Sequence, residues 1–147
     1  MSKVRLEVKY TEELSNIELL EILKERVKIF VVEQKCIYQE IDDKDRNAQH
    51  VILYDENNII AYTRIVTSEN GISFGRVLVT QNYRKKGYGR EIVQCTIDII
   101  KKQYHHKFLK ITGQAHLKTF YESFGFQANS KTYMEDGIPH IEFMMYI

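Results

Sequence analysis

The segment from Ile72 to Ile100 restricts the fold more than any other part of the chain. A β-patterned run, "ISFGRVLVT", passes through "QNY" into "RKKGYGR" and then into a helix-patterned run. In that last run Tyr88, Ile92, Val93, Thr96, Ile97, Ile100 and Tyr104 share one side. A strand that feeds a helix through a glycine turn belongs to a layered α/β arrangement. It also sets out chemistry. A helix start leaves backbone N–H groups unpaired and concentrates partial positive charge. Gly87 and Gly89 lack a Cβ, so an anion can approach the backbone and the turn can take positive φ. Arg84, Lys85, Lys86 and Arg90 surround this cradle, which suits a phosphate or pyrophosphate. On these ten residues alone, a solvated basic helix start with glycines serving only the turn stands level with the cradle.

Two familiar phosphate loops do not fit. No Lys-Ser or Lys-Thr follows Gly89, as a Walker A loop requires. Ile92 occupies the place of the third glycine of a dinucleotide fingerprint.

The flanking sequence completes the element order. Val4, Leu6 and Val8 alternate with charged residues as a strand does. Leu20, Leu23, Val27, Phe30 and Val31 recur at helical spacing after Ser15 or Asn16, the expected N-cap. The stretch "KCIYQEIDDKDRNAQ" has no period and reads as a long, acidic loop with at most a short helical turn. Strands are expected over 50–54, 59–67 and 72–80, with hairpin chemistry in "DENN" and "SENG". "FLKITGQA" reads as a strand and "HLKTFYESF" as a helix closed by Gly125. Strands over 127–134 and 140–146 join across "EDGIP". The order β-α-β-β-β-α-β-α-β-β predicts an α/β (α+β) fold with a mixed sheet and helices on its faces.

Composition narrows the function classes. A length of 147 residues without a linker predicts one domain over 1–147. Twenty-one Lys and Arg balance twenty Asp and Glu, for a net charge of +1. Global attraction to nucleic acid or an anionic membrane is therefore not expected. Nucleic-acid binding would need a broader basic face with interleaved aromatics. Cys36 and Cys95 suggest no disulfide framework. His50, His116 and His140 make no metal spacing, and His105 and His106 suit a helix C-terminus, so no metal is predicted. The charged start and the lack of a spanning apolar run make the cytoplasm the expected location.

Two motifs carry a family resemblance. Arg84-Lys85-Lys86-Gly87-Tyr88-Gly89 fits [Q/R]-x-x-G-x-[G/A], and "FYESFGF" places Tyr121 four residues before Gly125-Phe126, as in Y-x-x-x-G-F. The chain thus resembles the GNAT superfamily of N-acetyltransferases. "FVVEQKCIYQEIDDKD", "AYTRIV", "GRVLV", "QAHLKTFYESFGF" and "EDGIPH" resemble its ElaA-like subgroup and cover most of Phe30 to His140. The resemblance implies a mostly antiparallel six- to seven-stranded sheet whose fourth and fifth strands splay. It also implies acetyl transfer from acetyl-CoA to a primary amine by direct attack. Val77, Leu78 and Val79 would pair with the pantetheine arm through their backbone, by strand addition. Arg84 to Arg90, Tyr88 included, would wrap the pyrophosphate. Tyr121 would be the general acid for the departing thiolate, and Gln114 stands where many relatives carry Asn.

The general base stays open among Glu33, Glu40, Asp42, Asp43, Asp45, His50, Asp136 and His140. The family architecture favours Glu33, Glu40 and Asp42 from one side, with Asp136 and His140 from the other. Glu40 and Asp136 are candidates to line the acceptor site, and the acidic stretch Glu40 to Asp45 suggests a cationic acceptor. Family members often form homodimers. A non-catalytic CoA-sensing module is the competing reading.

Overall fold

The computed structural model describes residues 4–105 and 108–147. His106, half of the expected helix-end pair, lies outside the described residues. The elements run β1 (Val4–Tyr10), α1 (Asn16–Val27), β2 (Gln49–Asp55), β3 (Asn58–Ser68), β4 (Gly71–Val79), α2 (Tyr88–Gln103), β5 (Phe108–Gln114), α3 (Lys118–Glu122), β6 (Gln127–Ala128), β7 (Tyr133–Glu135) and β8 (Ile138–Tyr146). They build one mixed sheet in the order β1-β2-β3-β4-β5-β8-β6, with β7 also paired to β8. Every strand pair is antiparallel except β4 with β5. Among the described residues the sheet has eight strands. The expected strand over 127–134 splits in two, because Asn129 and Ser130 bond β8 irregularly. Asn129 N–H donates to Glu142 O at 2.7 Å, and Ser130 Oγ accepts from Glu142 N at 3.0 Å.

Each face has its own core. On one, α2 lays Ile92, Val93, Ile97 and Ile100 against Val51, Ala61, Ile65 and Phe74, and α3 adds Tyr121. On the other, α1 brings Ile22 onto Ile52, Tyr62 and Leu78, and Ile29 from the segment after α1 joins it. Ser15 caps α1 reciprocally: its Oγ accepts from Glu18 N–H, and its N–H donates to Glu18. The α1 stripe differs from expectation. Its buried centre is Ile22 and Arg26, while Leu20 remains 60% exposed. A buried arginine at a stripe centre hides the true phase from a count of apolar residues. The segment Lys28–Glu33 continues α1 as a π-helical turn, and Asp43–Arg46 forms a short 3-10 turn in the acidic loop.

The parallel pair β4 and β5 positions the site. Their ladder consists of Ile72 opposite Leu109, beyond which the strands part. A bulge in β4 lies at the same place. Tyr62 faces Leu78 and Arg64 faces Gly75, so Arg76 and Val77 together oppose Thr63. Arg76 holds φ at 51°, a left-handed conformation uncommon outside glycine. The bulge bends β4 and leaves a wedge-shaped gap beside β5.

Candidate active site

At the head of the gap, α2 begins on Gly87 with φ 85° and ψ 5°. Lys85, two residues earlier, is also left-handed at φ 62°. Nothing lies within 4 Å of where a Gly87 side chain would start, so the demand for glycine here is conformational. The first N–H groups of α2 point out of this turn. The four surrounding cations divide into two sets. Arg84 Nε donates to Val79 O at 3.0 Å and its guanidinium meets Glu33 at 2.9 Å. Arg90 donates to Ser123 Oγ at 2.6 Å and covers the Phe124 ring at 4.7 Å. Among the described residues Lys86 reaches only the face of Tyr83, at 5.8 Å. Arg84 and Arg90 are therefore fixed parts of the frame, while the ammonium groups of Lys85 and Lys86 have no carboxylate partner among the described residues.

Below the turn, a cavity of about 370 Å³ occupies the gap. Val77 and Gln114 line it from β4 and β5, and Tyr121 from α3. Gln114 Oε1 accepts from His116 Nε2 at 2.7 Å. Tyr121 is 5% exposed, with Phe126 and Phe143 against its ring. Burial pushes its phenol up to about 12, so the proton is held at neutral pH. Gly113 makes room for it: a Cβ there would stand 2.7 Å from Tyr121 Cε2. The tip of the β7–β8 hairpin closes the cavity from the far side. Cys36 Sγ donates to Asp136 O at 3.4 Å, joining the hairpin to the loop after the π-turn.

The expected bases separate by position. His140 and Asp136 line the cavity with Tyr121. His140 Nδ1 donates to Ile138 O at 2.7 Å, since a carbonyl can only accept. That leaves Nε2 as the ring's basic nitrogen, 3.5 Å from Glu135 Oε2. Glu33 sits at the turn on Arg84 and does not line the cavity. Glu40, expected as an acceptor contact, is 3% exposed and committed elsewhere. Its carboxylate receives Arg26 Nε at 3.0 and 3.1 Å and also Arg76 Nε.

Those bonds belong to a buried network that the sequence reading missed. Arg26 also meets Asp45, at 2.7 and 3.0 Å. Arg64 meets Asp42 at 2.8 Å and Asp45 at 3.0 Å, and Arg76 Nη2 donates to Glu40 O at 2.7 Å. Three arginines from α1, β3 and β4 thus answer three of the loop's four carboxylates, Glu40, Asp42 and Asp45, while Asp43 stays exposed beside Arg46, and the bulge is tied to α1 through Glu40. Burial works against charge on both Arg26 and Asp45. Their mutual bonds outweigh it, raising the arginine's pKa and lowering the aspartate's. The acidic loop is therefore largely neutralised, and the case it made for a cationic acceptor loses its basis. The usable signal was that Arg64, Arg76 and the loop acids all fall within the ElaA-like segments.

His50 extends the network. Thr11 Oγ1 donates its proton to Asp45 O, so His50 Nε2–H must donate to Thr11, at 2.7 Å. His50 Nδ1 then accepts from Tyr62 OH at 2.6 Å. Burial, with the charges of Arg26 and Arg64, pushes His50 down to about 4. It is a neutral structural bridge. Among the described residues no group of three or more His, Cys, Asp or Glu is placed to hold a metal ion, and no helix is long and apolar enough to cross a membrane.

Comparison with known proteins agrees with this architecture. Residues 12–147 match the family described as "Acetyltransferase (GNAT) domain". A UPF0039 protein of Schizosaccharomyces pombe is 36% identical over 145 residues, covering 97% of each chain. Protein ElaA of Escherichia coli is 37% identical over 134 residues, covering 88% of each. The ElaA crystal structure superposes with a TM-score of 0.90 over 97% of this chain and 99% of that one. An acyl-CoA N-acyltransferase from Pseudomonas aeruginosa gives 0.92 at 30% identity, with the same coverage.

Proposed function

The chain belongs to the acetyltransferase (GNAT) domain family, and from that premise we propose that it moves an acetyl group from acetyl-CoA to a primary amine. One observation carries the reading: a single gap holds an unpaired strand edge, an open helix start at its head and a buried, protonated tyrosine at its floor. The substrate fits those parts. Its pantetheine amides suit the β5-facing edge of β4 at Val77 and Val79, since successive strand residues alternate in the direction of their backbone groups and Leu78 pairs with Tyr62 of β3. At Val79 the carbonyl already accepts from Arg84, so that position contributes its N–H side only. Its diphosphate suits the N–H groups from Lys86 to Arg90, with the Lys85 and Lys86 ammonium groups at the rim.

In the reaction, the neutral amine nitrogen attacks the thioester carbonyl carbon. Collapse of the resulting oxyanion breaks the C–S bond. Tyr121 donates its phenolic proton to the departing sulfur, and His140 Nε2 takes the surplus proton from nitrogen. The carbonyl of Ile138 holds the imidazole in the tautomer this requires. Tyr121→Phe tests the assignment. It removes the proton donor and keeps the ring, so kcat should fall roughly a hundredfold with little change in acetyl-CoA affinity. The readouts are thiol release with an amine panel and calorimetric CoA binding. Unchanged kcat removes Tyr121 from the mechanism. CoA binding without turnover across the panel replaces the enzyme with a binding module.

A further inference from the structure

A second cavity, of about 670 Å³, opens on the α1 side of the sheet over β4, β5 and β8, and it meets the first in the gap. Glu135 and Asp136 line both cavities and so stand at the junction. Lys44 and Lys110 line only the second. The remaining cations of that wall, Arg64 and Arg76, are consumed by Asp42, Asp45 and Glu40. Lys44 and Lys110 have no ion-pair partner among the described residues. The register of β5 on β8 orders the wall. Gln114 faces His140, Thr112 faces Glu142, and Lys110 faces Met144. Residues two apart share a sheet face, so Gln114, Thr112 and Lys110 form one row. Lys110 therefore stands four residues, ~13 Å, along the strand from the His140 end. Glu142, between them, accepts from Asn129 Nδ2 at 2.6 Å.

Resting on the N-acyltransferase reading above, we infer that the acceptor is an amine bearing an anionic group at its other end, which Lys110 and Lys44 receive. The carboxylates at the junction draw the amine end toward the gap, where it gives its first proton to solvent and attacks as the neutral amine beside His140. The opposite charge of Lys110, at the far end of the row, then orients the molecule lengthwise in the second cavity. A wall that is acidic near the reaction centre and basic far from it disfavours a diamine, whose second cation would face Lys110.

The test measures kcat/KM with acetyl-CoA for three acceptors of equal chain length: ε-aminocaproate, its carboxamide and hexamethylenediamine. The acid should exceed both others by roughly tenfold, about one decade of discrimination. In Lys110→Gln, a change at the rim of the cavity, the acid-to-amide ratio should fall toward one. A wild-type enzyme that uses the diamine or the amide as well as the acid overturns the inference and leaves N-acylation standing. So does a Lys110→Gln ratio equal to wild type. Turnover of no amine at all, with CoA still stabilising the fold, overturns the enzyme reading and this inference together.

Discussion

Lowering the pH from 7 to 5 should weaken the fold through one buried imidazole. In the native chain a single set of protons runs from Tyr62 OH to His50 Nδ1, from His50 Nε2 to Thr11 Oγ1, and from Thr11 Oγ1 to Asp45 O. A second proton on His50 would displace the Tyr62 donor and add charge beside Arg26 and Arg64. The folded state therefore resists protonation until about pH 4, whereas the unfolded chain accepts it near the ordinary value of 6.5. Below 6.5 the unfolded state binds more protons, so stability falls with pH, and this contribution is fully lost below about 4. Linkage between those two values gives a loss of ~2 kcal/mol from pH 7 to pH 5 for this residue. Urea unfolding of the wild type and of His50→Gln at both pH values isolates it. Glutamine can bridge Tyr62 and Thr11 with one acceptor and one donor, but it does not titrate. The variant should lose ~2 kcal/mol less than the wild type over the interval, whatever its stability at pH 7. Equal losses in the two proteins would refute the neutral bridge.

Other perturbations address the gap. Gly87→Val forces a β-branched residue into φ 85°, so the acetyl-CoA KM should rise at least tenfold, and calorimetry should show the same loss for CoA. Wild-type affinity would remove the cradle. Gly113→Ala drives a Cβ to 2.7 Å from the Tyr121 ring and should cost ~1–3 kcal/mol of stability as the ring shifts. It should also depress kcat more than it changes the acetyl-CoA KM; an unaltered kcat would show that the tyrosine's position is not critical. Glu40→Gln leaves Arg26 and Arg76 short of a buried countercharge and should cost ~3–5 kcal/mol in denaturant unfolding. A loss below ~1 kcal/mol would make the pair equivalent to a surface bridge.

The gap itself was legible because its parts are local or motif-bound. The β4 alternation, the two turn glycines and the α2 stripe each depend on neighbours a few residues away. The structure places Gly87 and Gly125 in the positive-φ positions that the turn and the α3 end require. Tyr121 was singled out by the resemblance of "FYESFGF" to a family motif, and it lines the cavity in the gap. The α1 phase was misread, because Arg26 occupies the most buried place on an otherwise apolar face. The hairpin strand over 127–134 was overextended, since Asn129 and Ser130 bond β8 in ways that an alternating pattern does not encode.

By itself the amino-acid order determined where the chain must be extended, where it must coil, and which turn opens a helix whose first N–H groups are unpaired. These outcomes follow from steric limits on single residues and from the repeat lengths of strand and helix. Only the folded chain decided which charges are free to meet a ligand. Arg26, Arg64 and Arg76 come from three separate elements to neutralise the acids at 40, 42 and 45, while Lys44 and Lys110 are left without a partner carboxylate among the described residues. Charge pairing depends on distance in space across dozens of intervening residues, and in a buried site the presence of the opposite charge decides whether a carboxylate is structural or reactive.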